Sequence, residues 1–482
     1  MSGDGNGTSG APEAPAGGAG GTMSVPVLTA MVVGTMVGAG VYSLPGQFAD
    51  STGVVGALIA WAIAGGGMLA LAFVFQRLAI ARPDLDSGIF AYARAGFGDY
   101  VGFFSAFGYW VSACVANVTY WVLVASTVGG VVPAFGDGDT VWALLLGTGG
   151  IWLFHFIIQK GVTGATIING IATLAKMVPL AIFAILLIGG GFSWDVFVDN
   201  LWADDALGSL SDQVRSTMLV TVFVFIGIEG ASVYSRWAKK REDIGKATVW
   251  GFLTVLAIFV AVTMLSYGVL PREDIAALRQ PSVAGVLEAA VGAWGAWVIG
   301  LGLLVSVLGA YLAWCLLAVE SLFMTAKDGD APPVLTHVNR RDVPVRALLV
   351  TSLVTQLFLV IAFFAESAFD FSLELTSALA ILPYLLTAGF GLKLALRGGR
   401  AATAIAAATI ATVYALYLVY AMGLKYALLA LIIYAPASFI YVWSRKQRGR
   451  TVFTRAEAVL CVLASVGAVV GVWALATGHI AL

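Results

Sequence analysis

Thirteen stretches of this chain are apolar and long enough to cross a lipid bilayer. They lie at roughly 25–46, 54–76, 100–132, 141–158, 161–191, 214–237, 245–270, 286–326, 345–365, 371–396, 402–421, 424–444 and 456–478, each near the ~20 residues that a spanning helix needs. Inside hydrocarbon every backbone N–H and C=O must be satisfied within the chain, so runs of this length can only be helices. Of the 482 residues 60% are hydrophobic and 11% are charged, against about 25% charged in a soluble domain. The expected fold is all-α, a polytopic membrane protein with about 13 transmembrane helices. Pro45, Pro133 and Pro332-Pro333 read as the ends of the first, third and eighth spans, and Ser87–Asp99 as a short polar helix before the third.

Charge sets an orientation. Loops after even-numbered spans hold 21 of the 26 basic residues, among them Arg77, Arg94, Lys239, Arg341, Arg397 and Arg448. Loops after odd-numbered spans hold Arg215, Arg272, Arg279 and Lys425, and Lys176 alone lies within a span. The positive-inside rule places the even loops in the cytoplasm. The expected arrangement in the cell membrane is therefore a cytoplasmic N-terminus and, with thirteen spans, an external C-terminus. Residues 1–22 are Gly, Ser, Ala and Pro-rich with no Lys or Arg, and read as a disordered tail without the basic start of a secretory signal.

Two spans carry residues that spoil a helix: Gly34-Thr35-Met36-Val37-Gly38-Ala39-Gly40 in the first and Phe225-Ile226-Gly227-Ile228-Glu229-Gly230 in the sixth. Each opens one of two successive blocks of five spans. Paired interruptions at matching positions point to the binding site of a secondary transporter. Glycines let a ligand approach the backbone. The free N–H groups of a half-helix favour a carboxylate, and the opposing carbonyls suit an ammonium. Close packing of glycines between helices is the other reading of the first break.

Isolated polar residues add candidates. Glu229 at mid-membrane costs about 2.5–3.5 kcal/mol on insertion scales, and so needs a partner or a task such as proton handling or gating. Lys176 needs oxygen partners, for which the carbonyls of the broken first helix are candidates; snorkelling to the surface is the alternative. Asn117 could fix a cationic group through its carbonyl oxygen or simply join helices. Trp314 and Phe223 could form a cation–π surface, although among 14 Trp and 27 Phe ordinary packing accounts for most rings. Cys114, Cys315 and Cys461 read as buried apolar residues, and the scattered His155, His337 and His479 do not form a metal site.

The run Val224–Arg236 resembles the sixth helix of the amino acid–polyamine–organocation superfamily, in particular its basic amino acid/polyamine antiporter branch and the arginine–ornithine antiporters within it. Gly38–Pro45, Asn169–Pro179, Ala326–Gly329 and Ile381–Tyr384 resemble the first, fifth, eighth and tenth helices of that group. The resemblance implies a five-plus-five inverted repeat with broken helices 1 and 6. A transport core over 23–398 would comprise repeats at about 23–192 and 213–398, with additional helices over 399–482. It also implies exchange of cationic amino acids by alternating access. By analogy with the related arginine–agmatine exchangers, Met36, Ala39, Gly40 and Ile226 fall where the substrate's amino and carboxylate groups are held. Asn117 and Ser377 fall at its cationic head, with Ser112 and Ala113 nearby. Trp314 falls at its aliphatic stem and Phe223 at its guanidinium. Tyr109 and Glu229 match gating positions, and Lys176 resembles a lysine that occupies a sodium-like site. Three features depart from the pattern: Ala39 replaces a common serine, Phe223 replaces a tryptophan, and a thirteenth span exceeds the usual twelve.

The expected activity is exchange of arginine for ornithine, with proton-coupled arginine or lysine uptake as the alternative. A channel or an amino-acid-sensing receptor is more distant, since no signalling domain is present. No nucleophile–base or metal arrangement suggests an enzyme, no cofactor is implied, and no basic stripe suggests nucleic acid. The expected partners are the small-molecule substrate and the bilayer; a homodimer is among the assemblies left open.

Overall fold

Helix α1 (Val25–Met36) stops inside an apolar run. Val37 and Gly38 are extended, Ala39–Ser43 forms a tight 3₁₀ turn, and α2 (Leu44–Ser51) resumes the path. The two halves of this span meet at 54°. Pro45 does not close the span, as the sequence reading had it. It sits in the first turn of α2, where a proline's missing N–H has no helical acceptor to lose. The computed structural model describes residues 24–82, 84–85, 89–161, 165–229, 241–398 and 401–481. The N-terminal tail and Gly230–Arg236 of the sixth-helix motif lie outside the described residues, as does the side chain of Asn169.

The remaining helices follow in order. They are α3 (Val54–Ala81), the short amphipathic α4 (Ile89–Phe97), α5 (Asp99–Gly129), α6 (Val141–Gln159), α7 (Ala165–Leu186) and α8 (Trp194–Asp199). Next come α9 (Leu210–Ser216), α10 (Met218–Phe225), α11 (Arg241–Ser266), α12 (Arg272–Ala276), α13 (Ser282–Val291) and α14 (Ala293–Lys327). The chain ends with α15 (Val345–Phe363), α16 (Ala368–Arg397), α17 (Ala402–Ala421), α18 (Gly423–Gln447) and α19 (Arg455–Ala476). Among the described residues ten helices are long and apolar enough to span a membrane, or eleven if the bent first pair counts as one. The fifth and sixth expected spans run over residues 162–164 and 230–240, which are not described. The expected eighth span divides: α13 ends at Gly292, whose φ of +92° turns the chain before α14 begins. Apolar composition continues across that turn, and so hid it.

Burial ranks the helices. In α5, 89% of the apolar window is buried, against 11% for α19. Helix α5 is therefore the central rod, packed mainly on α14 and α16, while α19 lies at the periphery against α18. Tyr434 of α18 presses its hydroxyl into the space left by Gly108 of α5 and donates to the carbonyl of Leu379 on α16 at 3.0 Å. One ring thereby joins three helices. At the other end of the broken span, Gln47 donates to Asp370 at 2.6 Å, the Gly46 amide to Ser282 at 2.9 Å and Arg272 to the Ala49 carbonyl at 2.8 Å. These bonds anchor α2 after the break.

Candidate substrate site

The two breaks face each other. Helix α10 ends at Phe225, and Gly227 turns the chain at φ +108°. A Cβ on Gly227 would stand 2.9 Å from the Thr35 carbonyl oxygen, so only glycine fits that turn against the end of α1. Gly40 makes the second close approach: a Cβ there would stand 2.8 Å from the Phe223 ring.

Between the breaks lies a narrow cleft. Met36, Ala39 and Gly40 from the first break, Phe223 and Ile226 from the second, and Trp314 of α14 all line it. Gly38 also lines it and caps the 3₁₀ turn without a side-chain partner. The amides that open such a turn have no intrahelical acceptor and are available to an anionic group. None of the cleft-lining residues carries a charge. A cationic side chain bound here must rely on aromatic faces and on carbonyl or amide oxygens.

Other predicted residues sit just outside that wall. Ser112 donates to the Thr376 carbonyl at 2.8 Å, and Ser377 to the Leu219 carbonyl at 2.7 Å. Both hydroxyls are therefore engaged by backbone rather than turned to the cleft. Ala113 is buried. Asn117 is 1% exposed, and neither carboxamide atom has a partner among the described residues. Burial of an amide without hydrogen bonds costs about 1–3 kcal/mol in proteins, so Asn117 has unused capacity one helical step from the cleft.

The sequence reading did not place Thr35, Ala116, Tyr120, Val224 or Thr376 in the site, yet all line the cleft. Ala116 and Tyr120 lie four apart on one face of α5, but nothing in the chain distinguishes them from ordinary packing residues. The Tyr120 hydroxyl would lie 3.6 Å from a Cβ on Gly38.

Lys176 and Glu229 fasten the breaks. Lys176, 4% exposed on α7, donates to the Gly34 carbonyl at 2.8 Å. Its own carbonyl accepts from Tyr42 at 3.1 Å, so α7 holds both sides of the first interruption. Glu229 accepts a close hydrogen bond from Tyr109 of α5, one at 2.9 Å from Tyr384 of α16 and one at 3.2 Å from the Gly227 amide. Neither Lys176 nor Glu229 lines the cleft. They hold the interrupted backbone that does.

A many-helix membrane protein with an interrupted helix wrapped around a central cleft is a transporter of small solutes in its class. The family model for amino acid permeases matches residues 23–476, and the chain belongs to that family. The chain is 45% identical to an arginine/ornithine antiporter of Pseudomonas aeruginosa, covering 94% of this chain and 97% of that one. It is 41% identical to an L-lysine transport protein of Corynebacterium glutamicum, covering 96% of each. It is 37% identical to an arginine/agmatine antiporter of Chlamydia pneumoniae, covering 94% and 96%.

Proposed function

We propose that the protein exchanges cationic amino acids across the cell membrane, arginine against ornithine, by alternating access of the cleft between its two breaks. The observation that carries this reading is the shared cleft. Backbone from Gly38 to Gly40 and the Phe223 and Trp314 rings share its wall, and the unpartnered carboxamide of Asn117 follows the wall residue Ala116 in α5. Amides, aromatic faces and an amide oxygen are groups that suit a carboxylate, an aliphatic stem and a cationic head. In this reading Met36, Ala39, Gly40 and Ile226 hold the α-amino and carboxylate groups. Trp314 covers the stem, Phe223 stacks on the head, and Asn117 accepts from it. Ser112, Ala113 and Ser377 shape the distal wall, with Ser112 and Ser377 acting through the carbonyls they bind. Tyr109 and Glu229 gate the cleft, and Lys176 stands where another transporter would hold sodium.

The core spans 23–398 as two inverted repeats, with its basic loops in the cytoplasm and the helices after 399 outside the core. Arginine and ornithine each carry about one positive charge at neutral pH, so one-for-one exchange moves no net charge. Proteoliposomes loaded with ornithine test this. Internal ornithine should accelerate arginine entry, with no acidification of the lumen. The buried Glu229, with its two tyrosine donors, supports a second reading, proton-coupled uptake of arginine or lysine. Arginine entry into empty vesicles accompanied by acidification would select it.

A further inference from the structure

The wall of the cleft holds three hydroxyl groups, those of Thr35, Tyr120 and Thr376. Two of them are committed. Thr35 donates to the Val32 carbonyl at 2.8 Å and Thr376 to the Ser372 carbonyl at 2.7 Å, each one turn back along its own helix. Tyr120 differs. Only 4% of the residue is exposed, yet its hydroxyl makes no hydrogen bond among the described residues. Unlike the carboxamide of Asn117, that oxygen is not closed off from the cleft. It stands over the first break: a Cβ on Gly38 would lie 3.6 Å from it, and apart from the adjoining residues nothing else comes within 4 Å of that position. A buried phenol with its hydrogen uncommitted therefore borders open space beside Gly38.

From this arrangement we propose that the Tyr120 hydroxyl donates to the substrate's α-carboxylate, and so selects amino acids over the amines left when that carboxylate is removed. The proposal rests on the exchange reading above, in which the first break holds the carboxylate. An ionised carboxylate only accepts hydrogen bonds, and no charged side chain lines the cleft to meet it. Ala39, where the resemblance expects a serine, brings no hydroxyl. Tyr120 supplies the missing side-chain donor from the facing helix α5. The substrate's ammonium has other partners, the carbonyls at the end of α1, where intrahelical donors run out. A buried group placed to bond a substrate discriminates against the analogue that leaves it unpaired. Agmatine keeps the guanidinium and an amine of arginine but has no carboxylate, and so gains nothing from Tyr120.

The test is isothermal titration of the full chain with arginine and with agmatine. The wild type should bind arginine the more tightly. Tyr120→Phe keeps the ring and loses the hydroxyl. It should weaken arginine about tenfold or more, leave agmatine unchanged and melt no lower than the wild type. Gly38→Ala, at a φ of −98° that any residue adopts, puts a methyl in front of the hydroxyl and should weaken arginine with the same selectivity. An arginine-to-agmatine affinity ratio in Tyr120→Phe that matches the wild type overturns the proposal. So does a loss of agmatine alone, which would make the hydroxyl an acceptor for the amine. Failure of the exchange reading shows separately, as a wild type that binds neither compound. Leucine against isoamylamine, a neutral amino acid and its decarboxylated amine, then gives the same ratio and decides the role of Tyr120.

Discussion

The ammonium of Lys176 donates to the Gly34 carbonyl at 2.8 Å, two residues before α1 ends. The bond satisfies a carbonyl near the end of the helix, where intrahelical donors run out, and it is buried. Lys176→Met keeps the length and loses the donor. An unpaired buried carbonyl costs about 1–3 kcal/mol, so thermal unfolding in detergent should move to lower temperature and arginine–ornithine counterflow should be lost. Unchanged melting and counterflow would leave the bond without consequence.

Glu229 joins α5 to α16 through Tyr109 and Tyr384. Tyr109→Phe or Tyr384→Phe removes one donor and leaves the ring in place. Hydrogen bonds to charged groups contribute about 1.5–3 kcal/mol, so each change should slow exchange about tenfold or more if the link closes the path during transport. The two together should fall short of the product of their effects, because they share one acceptor. Strict additivity would separate the tyrosines from a common gate. Glu229→Gln should alter the pH dependence of exchange, and an identical profile would reduce Glu229 to a structural acceptor.

What could be read from the chain followed contrast against an apolar background. Gly34, Gly38 and Gly40 stand out in a spanning run, as do Lys176 and Glu229, because the bilayer makes such residues expensive. Alanine and tyrosine give no such contrast, so Ala116 and Tyr120 became visible only when α5 packed beside the breaks. The Ser112 and Ser377 hydroxyls were just as illegible. A serine in a membrane helix looks the same whether it meets a ligand or a neighbouring carbonyl, and here both meet carbonyls. The turn at Gly292 was hidden because glycine is common in spanning helices, and only its positive φ separates α13 from α14.

Gly40 and Phe223 should be coupled. Gly40→Ala would bring a methyl to 2.8 Å from the Phe223 ring, and overpacking of this kind costs about 1–3 kcal/mol. The ring must then shift within the cleft that it lines. Isothermal titration should show weaker arginine binding, and Phe223→Leu in the same chain should recover part of the stability by making room. If the double variant melts no higher than Gly40→Ala alone, the clash lies elsewhere.

Trp314, Asn117 and Tyr120 divide the proposed substrate contacts by chemistry. Trp314→Leu removes a ring worth about 2 kcal/mol to a desolvated cation, and should weaken arginine more than an uncharged amino acid of similar length. Asn117→Ala removes an unpartnered amide, and so should weaken arginine binding while leaving the empty protein as stable as before or more so. Tyr120→Phe tests whether the hydroxyl near Gly38 reaches the ligand. Calorimetric dissociation constants that match the wild type would take the corresponding residue out of the site.

Glu457 caps two helices at once. One carboxyl oxygen accepts from the Tyr100 amide at 3.0 Å, in the first turn of α5, whose N-cap Gly98 offers no side chain. The other accepts from the Thr454 amide at 2.8 Å, while Thr454 returns the bond as a capping box at the start of α19. Glu457→Ala removes both, at about 1 kcal/mol for each cap, and should lower the melting temperature. Glu457→Gln should recover much of the loss, since glutamine also completes a capping box. The first residue of α5 that lines the cleft is Ala116, sixteen positions beyond Tyr100 and so about 24 Å along the helix. The KM for arginine should therefore stay at its wild-type value in both variants even as stability falls. A raised KM in Glu457→Ala that Gln restores would instead show that the peripheral α19 sets the register of the central rod down to the cleft.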